Sequence, residues 1–161
     1  MNTRFTILAA FLMVVVIAAA ISGSFAAGEW YFLLHKPEWT IPAWAFGPAW
    51  ALVYVLMAAA MWIVWTSGHH LRTGALTWWL LQLGLIIAWS WLFFDMNRSG
   101  WSMGVMLLLI GFVALCIKLF ATPSRLAALL LVPCLLWLVY LWALNIAIWL
   151  LNGGGFGVSI G

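Results

Sequence analysis

Glu29, His35, Lys36 and Glu38 lie close together in the segment GEWYFLLHKPEWTIPA, residues 28–43. Carboxylates, an imidazole and an ammonium are the ingredients of proton transfer. Their spacing, however, matches no catalytic arrangement, and on a connector such groups are solvated surface, so no catalytic residue is assigned. His69 and His70 are adjacent in a later connector. Paired imidazoles can ligate haem iron, but a pair in a loop reads first as plain surface. Cys116 and Cys134 sit inside apolar runs with no CxxC and no Cys/His neighbour. They read as small apolar side chains, and no metal site is assigned.

Tryptophan is the residue in excess, with fourteen copies. Trp30, Trp39, Trp44, Trp65, Trp78, Trp79, Trp101 and Trp149 lie near the ends of apolar runs, where an indole sits at headgroup level. Trp50, Trp62, Trp89, Trp91, Trp137 and Trp142 lie deeper. A deep indole N–H needs a partner, so these rings are expected to face other helices, or a flat apolar ligand stacked among them. Gln82, Ser90 and Asn145 are the polar side chains expected at depth, each able to bond a neighbouring helix. No ionisable residue falls at mid-span, which argues against a proton-coupled pump or an ion channel with a charged filter.

The elements that must carry these residues follow from composition. Apolar residues make up 68% of the chain and charged residues 6%, against about 25% charged in soluble domains. The solvent for most of the surface is therefore lipid. The formal charge of +3 is spread over connectors; nucleic-acid binding would need a concentrated basic face. Apolar runs cover about 5–27, 44–66, 76–94, 101–121 and 126–151, each long enough to cross a bilayer as a helix. The first exceeds the 7–15 residues of a signal-peptide core and is read as a span. An all-α, five-transmembrane-helix bundle over 1–152, in one domain, is the expected fold.

The connector 28–43 is too long for a simple helix hairpin. Pro37 and Pro42 stiffen it, and its aromatic residues would not sit bare in water. It is expected to fold as a lid, followed at the other end of the chain by a flexible Gly-rich tail over 153–161. Arg4, Arg72, Lys118 and Arg125 fall on one side of the bundle, with Lys36, Arg98 and all three acids on the other. Basic residues favour the cytoplasmic side, so the amino terminus is expected there and the carboxyl terminus outside. Small residues spaced by four (Ala18, Ser22 and Ala26; Gly84 and Ala88; Gly100 and Gly104) permit close helix approach.

Trp30-Tyr31, then Lys36-Pro37-x-Trp39, Pro42, Trp44, Phe46, Trp50 and Tyr54, form a recognisable series. Gln82-Leu83-x-Leu85, Trp89-Ser90 and Phe93-Phe94 continue it, and Pro133, Trp137, Leu144-Asn145 and Asn152 close it. In order and spacing this resembles the translocator protein family, whose bacterial members are the tryptophan-rich sensory proteins (TspO). The resemblance implies a five-helix membrane bundle, often a homodimer, in a bacterial inner membrane. It implies binding of porphyrin, haem or another flat apolar molecule as ligand, with no cofactor required. Tyr31, Trp50, Trp89, Ser90, Trp101 and Trp137 fall on the family's ligand-pocket positions, beneath a lid loop that includes Trp30, Lys36, Pro37, Trp39 and Pro42.

Departures from the family pattern are Ile41 for the first Pro of a pair, Ile86 for an Asn, Cys134 for a Tyr and Leu141 for a small residue. These are expected to make the pocket less polar and smaller. No basic residue follows Arg125, so the sterol-associated pattern is absent. Three functions follow. The first is a tetrapyrrole-binding sensor, carrier or scavenger. The second is an accessory subunit of a larger membrane complex, such as a photosynthetic one. The third is light-dependent porphyrin degradation, which the resemblance ties to the positions of Trp50 and Trp137.

Overall fold

The computed structural model describes residues 3–25 and 28–154. Ala26 and Ala27, at the end of the first expected span, and the tail from residue 155 onward lie outside the described residues. The chain forms helices α1 (Thr3–Ser24), α2 (Glu29–Leu33), α3 (Ala43–Thr66), α4 (Arg72–Ser90), α5 (Ser99–Ala121) and α6 (Arg125–Leu151). A π-helical turn, Trp91–Asp95, continues α4. Five helices, α1, α3, α4 with its π turn, α5 and α6, are long and apolar enough to cross a membrane. The protein is an all-α, five-span integral membrane protein.

Helix ends follow local chemistry. Ser124 caps α6 by accepting the Ala127 N–H at 3.4 Å, and Pro42 precedes the first residue of α3. Asn97 takes a positive φ of 55° between the π turn and α5, a conformation Asn tolerates better than most residues. The third long helix begins at Arg72, ahead of the apolar run at 76. Apolar composition marks only the hydrocarbon-buried part, while the polar first turn, with Thr73, extends into the headgroup zone.

Around the bundle α1 packs on α3 and α4, α3 on α6, α6 on α5, and α5 on α4, with α3 and α4 touching across the middle. Fully buried Ala58, Ala60 and Ala127 let the helices approach closely. Trp79, expected at the headgroup belt, is instead fully buried. Its Nε1 donates to the Met57 carbonyl at 3.0 Å and its ring meets Phe11 edge-on at 5.4 Å. One indole thus ties α4 to α3 and α1. Asn145 Nδ2 donates to Ser102 Oγ at 2.7 Å, joining α6 to α5.

The segment 28–43 runs across one mouth of the bundle and is pinned to the carboxyl-terminal half of α6. His35 donates its N–H to Asn152 Oδ1 at 3.0 Å, and Asn152 Nδ2 donates to the His35 carbonyl at 2.9 Å. The Ile41 N–H donates to the Tyr140 hydroxyl at 3.0 Å, which itself donates to the Trp39 carbonyl at 3.4 Å. Otherwise unpaired backbone groups of the loop are satisfied in this way.

Candidate ligand-binding site

Beneath α2 a cavity of about 510 Å³ opens between α1, α3 and α4. Helix α1 contributes Ala19, Ser22 and Gly23, and α2 contributes Tyr31 and Phe32. The largest share comes from α3: Ala43, Phe46, Gly47, Trp50, Ala51 and Tyr54. Ile86, Trp89 and Ser90 of α4, and Phe94 of the π turn, complete the far wall, with Phe25 at the edge. Among the described residues no acidic, basic or histidine side chain lines it. A space of this size and character suits a small apolar molecule; such sites run about 300–1,000 Å³.

The walls are aromatic and mutually supported. Trp50 lies 6.1 Å from Trp89 at a 34° tilt and 5.6 Å from Tyr54. Trp89 stacks on Phe93 at 5.7 Å, and Phe93 meets Trp30 of the lid edge-on at 5.7 Å. On the other side Trp137 meets Trp50 edge-on at 6.3 Å and stacks on Tyr140 at 5.4 Å. Tyr140 in turn meets Trp39 at 5.8 Å. An aromatic chain therefore leaves the lid at Trp39, passes through the cavity wall and returns to the lid at Trp30. The π turn contributes by its longer hydrogen-bond loop, Met96 N–H to the Trp91 carbonyl at 3.0 Å. Phe93 is buried in the core, and Phe94 lines the cavity wall.

A second, much smaller void of about 20 Å³ lies deeper, lined by Tyr31, Phe46, Trp89, Phe93 and Phe94 and by Leu141, Leu144, Asn145 and Ile148 of α6. Tyr31, Phe46, Trp89 and Phe94 face both spaces and so form a partition. Trp89 Nε1 and Asn145 Oδ1, both buried on residues of this void, have no hydrogen-bond partner among the described residues.

Of the six expected pocket residues, Tyr31, Trp50, Trp89 and Ser90 line the cavity. Trp137 backs Trp50 from behind, and its buried Nε1 has no hydrogen-bond partner among the described residues. Trp101 stands on the outer surface of α5, 61% exposed, apart from the cavity. In the lid, Trp30 and Trp39 anchor the aromatic chain, and Pro37 accepts from Thr40 N and Oγ1 in a tight turn. Pro42 precedes α3. Lys36 places Nζ 4.5 Å over the Tyr31 ring and donates to the Leu34 carbonyl at 3.3 Å. Burial lowers the Lys36 pKa from its ordinary value, and burial followed by the neighbouring Tyr140 raises that of Tyr31.

Ile86 supplies an apolar patch of cavity wall and Leu141 fills the deeper space. Cys134 lies elsewhere, its thiol directed to the Val53 carbonyl at 3.7 Å. The contribution of α1 went unread in the sequence: Ser22 belongs to a small-residue series that signals close helix approach equally well. His69 and His70 stack on each other at 4.3 Å, and His69 Nδ1 accepts the Leu71 N–H, which makes them parts of a turn. Among the described residues no cluster of metal-ligating side chains occurs.

Fold and site together define a polytopic helical membrane protein with an aromatic cavity between its helices. Residues 9–150 match the TspO/MBR family, and the chain belongs to that family. It is 33% identical over 152 residues to protein CrtK of Rhodobacter capsulatus, covering 92% of this chain and 94% of that one. It is 37% identical over 141 residues to the tryptophan-rich protein TspO of Archaeoglobus fulgidus, covering 85% and 92%. With the human translocator protein the identity is 33% over 143 residues, 85% of each chain.

Proposed function

We propose that this protein binds a flat, apolar ligand of the tetrapyrrole class in the cavity between α1, α3 and α4 and acts as its sensor, carrier or scavenger. One observation carries the reading: a cavity of about 510 Å³ walled by Trp50, Trp89, Phe46, Tyr31 and Phe94. Aromatic faces of this kind stack on a planar π system, and apolar burial supplies most of the affinity. Among the described residues no histidine lines the space, so haem would be held by its ring face rather than through iron. The protein needs no cofactor of its own for such a role. The basic residues at the end of the bundle carrying Arg4, Arg72, Lys118 and Arg125 favour a cytoplasmic amino terminus in a bacterial inner membrane.

Titrating the purified protein with protoporphyrin IX while following tryptophan fluorescence tests the reading. Saturable quenching at micromolar ligand supports it. Quenching no greater than that of an unrelated tryptophan-rich membrane protein rejects it and leaves the accessory-subunit reading in its place.

A second reading, light-dependent breakdown of bound porphyrin, is favoured by the contact between Trp50 and Trp137 at 6.3 Å. The double variant Trp50→Phe, Trp137→Phe is expected to lose such activity. Breakdown at the wild-type rate in that variant would remove both residues from the role.

A further inference from the structure

From the polar atoms around it we infer that the 20 Å³ space behind the cavity partition is a site for one water molecule, held between Trp89 Nε1 of α4 and Asn145 Oδ1 of α6. The site goes beyond the ligand reading, since it needs only the protein and water. Both side chains are almost wholly buried, Trp89 at 4% exposure and Asn145 at 2%. An indole Nε1 can only donate. The role of the Asn145 oxygen is fixed by its neighbours. Ser102 Oγ gives its single hydrogen to the Ser99 carbonyl at 2.8 Å, so toward Asn145, 2.7 Å away, it can only accept. The amide must therefore present Nδ2 to Ser102, which leaves Oδ1 as an acceptor. Turned over, it would set two oxygens side by side with no hydrogen between them. One donor and one acceptor are thus buried with no partner among the described residues, an arrangement that costs stability unless something joins them.

The 20 Å³ space is what these two residues share. A single water needs about 10–15 Å³ of room for its centre and about two to four polar partners. The space admits one water and is too small for an organic ligand. Apart from Tyr31, every other side chain lining it is Phe, Leu or Ile, so nothing there supports a chain of waters. Water both accepts and donates, and so complements the pair: its oxygen takes the Trp89 N–H and one of its hydrogens goes to Asn145 Oδ1. A cation would face the N–H and an anion would face the amide oxygen, so neither ion suits the pair.

Helices α4 and α6 are not among the pairs that pack broadly on each other, and the water joins them. Trp89 also lines the main cavity and stacks on Phe93 at 5.7 Å. The water therefore holds the indole by its N–H edge while Phe93 holds it by its face. A bridging water of this kind is nearly as favourable in enthalpy as a direct hydrogen bond.

Water-to-indole Overhauser transfer, measured by NMR on the purified full-length protein isotopically labelled at its tryptophan indoles, tests the site. The Trp89 Nε1–H signal is identified by its loss in Trp89→Phe. In the wild type this signal is expected to show a cross-peak at the water frequency. Asn145→Leu is expected to lose the cross-peak and Tyr31→Phe to keep it. A wild-type Trp89 signal without the cross-peak overturns the inference, whether or not any variant folds. Retention in Asn145→Leu overturns it too, because the water would then not rest on the amide. So does loss in Tyr31→Phe, because the tyrosine hydroxyl would then have supplied the transfer. None of these outcomes depends on the porphyrin titration.

Discussion

Lys36 holds its Nζ 4.5 Å over the ring of Tyr31, which lines the cavity, and tetrapyrroles commonly carry carboxylates. An arriving carboxylate would restore the charge that burial disfavours on Lys36. Affinity for a dicarboxylic porphyrin is therefore expected to fall as pH rises through the lowered Lys36 pKa. Lys36→Gln should abolish that dependence and weaken binding about two- to fivefold, the range of partly solvated ion pairs. Binding of the dimethyl ester should be unaffected by the same substitution; equal losses for both ligands would exclude the pairing. Leu141, 3% exposed, stands behind the partition in the 20 Å³ void. Leu141→Ala should lower stability by about 2–5 kcal/mol and deepen the space available to the ligand. Thermal unfolding and the affinity for a bulkier porphyrin would report the two effects separately. Residue by residue, the site was only partly legible. Trp50 and Trp89 were expected in the pocket and line it. Trp101, placed in the pocket by the resemblance alone, is exposed on α5, and Trp79, placed at the headgroup belt by its position along the span, is buried: which way a ring points depends on helix rotation, which apolar composition on every face leaves open.

The lid owes its place to pairs far apart in sequence. Asn152 reaches His35 across 117 positions, and Tyr140 reaches Ile41 across 99. Asn152→Ala removes both contacts to His35 and is expected to raise the opening equilibrium of the segment about fivefold, near 1 kcal/mol. Hydrogen exchange at the His35 and Ile41 amides should accelerate while amides in the middle of α3 stay unchanged. Unaltered exchange at His35 would show that the aromatic contacts alone hold the lid. The five spans were legible because a bilayer admits only helices whose backbone groups pair internally, so long apolar runs leave little choice. That the segment 28–43 would fold against the bundle was expected from its length, prolines and aromatic residues. Its anchors were not, since nothing local in Asn152 or Tyr140 identifies their partners. The π turn after Ser90 was equally hidden, because its sequence reads as ordinary helix.

At the scale of the whole molecule, the helix order puts Arg4, Arg72, Lys118 and Arg125 at one end of the bundle and the lid at the other. If the positive end faces the cytoplasm, a cysteine replacing exposed His70 should be shielded from an impermeant maleimide in intact cells. A cysteine replacing exposed Glu38 should be labelled. The reverse pattern would invert the orientation. The central claim, a tetrapyrrole site between α1, α3 and α4, is tested most directly by the protoporphyrin IX titration run on three proteins. Wild type should show saturable quenching, Trp50→Phe should bind markedly more weakly, and Trp101→Phe, altered on the outer face of α5, should keep the wild-type affinity. Absence of saturable quenching in the wild type, or a loss in Trp101→Phe with none in Trp50→Phe, would contradict the site.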